Sequence, residues 1–209
     1  MINAILKYSI VVFAILMLSA CISGTTRVSA LEYREVINKE RGLRVEEKYG
    51  PVTLAARYRP IEELIVEGLH DRNLDDSLYH SLYNKHKDLQ YFTFTVSSDE
   101  TKEILSHNNM EEDSYFQMLD YLSNGIQNDF YLVENGDTLP CLLCHYERNY
   151  GLTSLNRISL AFQNKHKTNM KYTGDKILAY EDKLFDIGLV HFKIREESLN
   201  NLPILSYEK

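Results

Sequence analysis

From residue 52 onward, apolar and polar side chains alternate in short runs. Val52, Leu54, Ala56 and Tyr58 interleave with Thr53, Ala55, Arg57 and Arg59, the period of two expected of a half-buried strand. Pro60 ends that run, and Ile61 to Leu69 reads as a short helix with Glu62 and Glu63 at its positive end. Asp75 or Asp76 is placed to cap a second helix reaching about His86. Leu89 to Val96, carrying Tyr91, Phe92, Thr93, Phe94 and Thr95, predicts a strand. Glu111, Glu112 and Asp113 open a third helix, in which Tyr115, Met118, Leu119 and Leu122 recur at helical spacing. That stripe is read as core packing, and Asn124-Gly125 is the expected stop.

Beyond Phe130 the pattern is that of sheet. Phe130–Val133 and Leu139–Tyr146 flank Glu134-Asn135-Gly136-Asp137. Asn-Gly between apolar runs predicts a tight hairpin, because both central residues of its turn need positive φ. Further strands are expected at 157–162, 176–180 and 189–194, with a last one near 204–207. In the third of these, Val190, Phe192 and Ile194 alternate with Leu189, His191 and Lys193. Together the elements predict one α+β domain over residues 31–209, an antiparallel β-sheet or sandwich with a helical insertion.

The first 20 residues have a different pattern. Lys7 precedes an apolar run from Tyr8 to Leu18, followed by small residues and Cys21, the layout of a cleaved secretory signal peptide. Residues 19–26 are too small and polar to complete a span of about 20 apolar residues. The tetrapeptide Leu18-Ser19-Ala20-Cys21 resembles the lipobox of bacterial lipoproteins. That resemblance implies a diacylglycerol on the Cys21 sulfur, removal of the signal peptide 1–20, and acylation of the new amine. Residues 21–30 then form a short tether. Each buried methylene contributes about 0.8 kcal/mol, and a single chain binds only marginally, so two or three chains on one cysteine give a durable anchor to the bilayer. Ile22 stands where many Gram-negative lipoproteins kept at the inner membrane have aspartate, so the resemblance points to the outer membrane.

Charge narrows the possible partners. The chain carries 23 basic and 30 acidic residues, a net charge of −7. Loss of the leader removes Lys7 and no acid, leaving 22 − 30 = −8. Such a surface repels nucleic acid and anionic headgroups alike. Only Cys141 and Cys144 remain after Cys21, too few for a disulfide-stapled scaffold.

Those two cysteines belong to Cys141-Leu142-Leu143-Cys144-His145, which fits C-x-x-C-H and resembles the haem attachment sequence of cytochromes c. The resemblance implies thioether bonds to Cys141 and Cys144, His145 as the near axial ligand, and Met170 or His166 as the far one. The predicted hairpin opposes it. On a regular strand, residues three apart point to opposite faces and lie about 10 Å apart, too far for one ring or for a disulfide. The preferred reading is therefore two buried cysteines and no cofactor, with covalent haem and electron transfer as the alternative. A thioredoxin-like pair is weaker still, since no βαβ pattern surrounds the motif.

Other candidate chemistry falls away. Asp71-Arg72-Asn73-Leu74-Asp75 begins like a calcium loop, yet Asp76 replaces the required glycine and Leu82 the bidentate glutamate. His70, His80, His86 and His107 show no metal-ligand spacing. Nucleophile-elbow, zinc-protease, P-loop and dinucleotide motifs are missing from the sequence. An envelope hydrolase would need carboxylates assembled by the fold, which is kept as a second alternative. Tyr146, Arg148 and Tyr150 gather aromatic and charged groups beside the hairpin, the composition of a protein interface. This segment and 180–194 are loosely similar to stretches of envelope lipoproteins, a likeness that brings no activity with it. The expectation is a non-catalytic binding or assembly module with an envelope protein partner.

Overall fold

A computed structural model of the chain describes residues 26–39, 42–70, 72–99, 112–150, 152–166 and 171–207. The leader and Cys21 lie outside the described residues, as does Met170. The architecture is α+β, built on one eight-stranded, wholly antiparallel sheet. In chain order the elements are β1 (Arg27–Val28), α1 (Ala30–Ile37), β2 (Arg44–Tyr49), β3 (Val52–Arg59), α2 (Ile61–Glu67), α3 (Asp76–His86) and β4 (Leu89–Ser98). They continue with α4 (Glu112–Asp120), β5 (Phe130–Glu134), β6 (Asp137–Glu147), β7 (Leu155–Gln163), β8 (Lys176–Asp182), β9 (Gly188–Ile194), α5 (Glu196–Asn200) and β10 (Ile204–Leu205).

The strands run β2-β3-β4-β7-β6-β5-β8-β9 across the sheet. Its two outer members, β2 and β9, approach each other, so the sheet coils most of the way into a barrel. Coiling gives one enclosed face and one open face, and strict alternation sorts residues between them. Val52, Leu54, Ala56 and Tyr58 of β3 face inward, as do Phe92, Phe94 and Val96 of β4 and Val190, Phe192 and Ile194 of β9. Phe94 sits at the centre, with ring centroids of Phe130, Tyr180 and Phe192 at 5.0, 4.9 and 5.7 Å. Phe130 and Tyr180 stack at 4.7 Å. Aromatic rings fill this interior, each burying a large apolar area in stacked, tilted or edge-on contact with its neighbours.

Several predicted elements take the form expected. Asn135 and Gly136 both have positive φ, 51° and 83°, closing the β5–β6 hairpin. Asp75 caps α3 through Leu78 N, at 2.7 Å. Others differ. Asn124-Gly125 does not stop α4: Gly125 stays right-handed, and the helix widens to a π turn at Tyr121–Gly125 and tightens to a 3-10 turn at Ile126–Asp129. Burial of Leu122 and Ile126, four residues apart and both fully enclosed, carries the coil past the glycine. Arg27 and Val28, assigned to the tether, instead pair in parallel with Ile204 and Leu205. Helix α1 was unexpected, though Ser29-x-x-Glu32 forms a capping box in which Ser29 N donates to Glu32 Oε2 at 2.8 Å. The helices are spread along the chain, with α2 and α3 between β3 and β4 and α4 between β4 and β5.

Two measurements test the packing. Phe94→Ala should cost about 3–5 kcal/mol in urea denaturation, a large part of the ~5–15 kcal/mol typical of a domain. Tyr33 is fully buried, and its hydroxyl finds no hydrogen-bond partner among the described residues. Tyr33→Phe should therefore stabilise by about 1 kcal/mol; a comparable loss would reveal a hidden partner.

Candidate functional sites at the barrel mouth and on the outer face

The C-x-x-C-H segment lies wholly on β6, but the strand is irregular. Register shifts between Cys141, opposite Phe162, and Leu143, opposite Ala161. The extra residue, Leu142, makes a β-bulge that reverses the alternation. Leu139, Cys141, Cys144 and Tyr146 consequently all point toward the core, while Leu142, Leu143 and His145 are exposed. This corrects the expectation that the two cysteines point to opposite faces. Cys141 Sγ donates to Leu143 O at 3.1 Å. Burial pushes the Cys141 thiol up to about 11 and Cys144 to about 12, so neither is a ready thiolate. His145 is on the open face, turned away from both sulfurs, and His166 is stacked on Tyr172 at 4.1 Å. These positions do not make a haem-attachment turn.

The proposed contact residues divide in the same way. Tyr146 points into the core, which removes it from the surface. Arg148 and Tyr150 remain outside and are fixed together. Arg148 Nη2 donates to the Tyr115 hydroxyl of α4 at 2.5 Å, and its guanidinium lies 4.6 Å from the Tyr150 ring centroid. Phe116, 57% exposed, packs edge-on against Tyr115. Tyr150 and Leu152 are 70% and 88% exposed beside them.

At the opposite end of the barrel, where β4 and β8 begin and β3 and β5 finish, the interior turns polar. Lys176, Glu134 and Gln90 are 3%, 6% and 2% exposed. Lys176 Nζ donates to Glu134 Oε2 and, at 2.7 Å, to Gln90 Oε1. Gln90 Nε2 donates to Glu134 Oε1 at 3.0 Å and to Gln163 O at 2.8 Å. Both carboxylate oxygens and the whole amide are thus satisfied, the condition under which buried charge is tolerated. Burial lowers the Lys176 pKa, and Glu134 opposes that shift. The ammonium is 5.6 and 5.3 Å from the ring centroids of Tyr58 and Tyr172, whose hydroxyls are 3.2 Å apart. A cavity of about 250 Å³ opens onto Lys176 and Glu134, walled by Lys165, His166, Lys171 and Tyr172.

A second, larger cleft of about 460 Å³ lies on the open face of the sheet. Its floor is small or hydroxylic, Ala55, Thr93, Thr95 and Ser159, and Arg44, Arg57, Arg59 and Arg157 rise from it. Strand register produces the arrangement, pairing Arg44 with Arg57, Arg57 with Thr93 and Thr93 with Ser159. Glu63 locks two of the arginines, binding Arg57 through both oxygens at 2.8 and 2.9 Å and Arg59 at 3.1 Å. Glu67 holds Arg59 at 2.6 Å, and Glu147 lies 3.6 Å from Arg157. In both clefts the lining carboxylates are engaged by cations, so neither presents the free acid pair a two-carboxylate hydrolase requires. Sequence patterning predicted none of this, because the cations come from four separated strands, β2, β3, β7 and β8, and from the stretch between β7 and β8.

The fold is thus a mixed α+β class on a nearly closed antiparallel sheet. No family model matches the chain, and no curated protein matches it. A crystal structure of a protein of unknown function from Burkholderia pseudomallei K96243 is similar at 13% identity. The match covers 84% of this chain and 93% of that one, with a TM-score of 0.35. Among the described residues, no helix is long and apolar enough to cross a membrane.

Glu134→Ala should destabilise the protein by about 3–5 kcal/mol, because it strands the Lys176 charge in the interior. Adding Lys176→Met to a Glu134→Leu background should recover most of that loss. A single-variant cost within the range of ordinary surface substitutions would refute the pairing.

Proposed function

We propose that this chain is a bacterial lipoprotein, held to the outer membrane by acylated Cys21, whose domain is a non-catalytic binding module for an envelope protein. Support for the anchor comes from the lipobox resemblance of Leu18-Ser19-Ala20-Cys21. The observation that carries the binding role is the surface around Arg148. Its guanidinium is held between the Tyr115 hydroxyl and the Tyr150 ring, with Phe116 and Leu152 exposed alongside. Arginine and tyrosine dominate interface hot spots, and ordering them in advance reduces the entropy lost on association. Carboxylate–cation pairing in both clefts favours binding over hydrolysis.

Two experiments test this reading. Labelling cells with a radioactive fatty acid should mark the protein, and Cys21→Ser should abolish the label; persistence of the label refutes the anchor. A photo-crosslinking residue at position 150 in the native host should give a discrete protein adduct. Arg148→Ala should weaken that complex by about 2 kcal/mol, roughly 30-fold, as expected of a hot spot. Adducts unchanged by Arg148→Ala, or no discrete adduct, would reject the surface.

A further inference from the structure

The cavity at the barrel mouth has a charge opposite to that of the chain that contains it. Lys165, Lys171 and Lys176 line it against one carboxylate, Glu134, in a protein of net charge −7. Glu134 is already committed, its two oxygens accepting from Gln90 and Lys176. Lys165 is paired with Asp137 at 2.8 Å, at the outer edge. Lys171 is exposed and has no ion-pair partner among the described residues. Lys176 has three N–H donors, of which two meet the oxygens of Glu134 and Gln90. The third has no oxygen or nitrogen acceptor among the described residues, and the ammonium as a whole lies 5.6 and 5.3 Å from the ring centroids of Tyr58 and Tyr172.

The wall formed by Tyr172, Gly174 and His166 is held before anything binds. Tyr172 N donates to Asn200 Oδ1 at 2.9 Å, and Asn200 Nδ2 returns to Tyr172 O at 3.1 Å. Gly174 N donates to Glu196 Oε2 at 2.8 Å. His166 lies flat on Tyr172, their ring planes within 11°. A cavity of about 250 Å³ is smaller than the range of roughly 300–1,000 Å³ that holds drug-sized ligands.

We infer that the cavity beside Lys176 binds a small organic carboxylate, its oxygens accepting from the free N–H of Lys176 and from Lys171, its carbon skeleton against the His166–Tyr172 stack. Carboxylate is favoured over phosphate by the donor set. Lysine point charges serve either anion, but the nearby Gly174 amide that would help cradle a dianion is already used by Glu196, which leaves the two amines to a single negative charge. The site is independent of the Arg148 surface, which lies at the other end of the barrel, and of the state of Cys21.

The test is ligand-observed NMR on the full chain in detergent. Acetate at constant ionic strength should show saturable magnetisation transfer from the protein, and the effect should vanish in Lys176→Met. Lys171→Ala is the deciding variant, since its exposed side chain has no part in the core. Losing one charge-assisted hydrogen bond should raise the acetate dissociation constant about tenfold. Saturation with equal affinity in wild type and Lys171→Ala would overturn the site, as would no saturable transfer at all. Line broadening of inorganic phosphate by phosphorus NMR, without acetate binding, would overturn the carboxylate assignment.

Discussion

An antiparallel sheet that coils until its first and last strands nearly meet must fill the space it encloses. Phe94, Phe130, Tyr180 and Phe192 do so here, each touching rings from other strands. Their contacts fix the inward face of β4, β5, β8 and β9, because a one-residue slip would send the apolar set of a strand to solvent. The outer face is then free to be polar, and the cleft of arginines on a Thr and Ser floor is the result. Where the aromatic filling ends, Lys176, Glu134 and Gln90 take over, and their mutual hydrogen bonds make that end of the barrel a rigid polar mouth.

This division gives the domain two surfaces with different chemistry. At one end, Arg148 and its tyrosines offer an exposed, arginine- and aromatic-rich face, the one proposed to bind a protein. At the other, a small cationic cavity suits a small anion. The ion pairs of Glu63 with Arg57 and Arg59 connect α2 to the outer face of β3, stiffening the wall between them. Nothing in this arrangement requires the surfaces to communicate.

Legibility in the sequence followed the strength of local patterning. β3, β4 and β9 alternate cleanly and were expected within two residues of where they lie. The β5–β6 turn was readable because two adjacent residues needing positive φ leave few alternatives. Strand β2 was missed: Arg44-Val45-Glu46-Glu47-Lys48-Tyr49 has little apolar alternation, as an edge strand with one solvated face allows. The bulge at Leu142 was invisible, and with it the shared orientation of Cys141 and Cys144, since parity along β6 depends on its register against β7. Leu122 and Ile126 overrode the stop at Asn124-Gly125 through burial that only tertiary packing supplies. The Lys176 cluster joins residues 42 and 86 positions apart in the chain, a distance no local pattern spans.

The polar mouth is organised by a charged amine held inside the barrel beside its carboxylate. A carbon NMR titration of the Lys176 side chain measures this directly. Enclosure predicts a midpoint below the ordinary lysine value of 10.5, with slow hydrogen exchange at the ammonium. A midpoint at or above 10.5 with solvent-like exchange would mean that the lysine is hydrated, and the polar mouth as described would not exist.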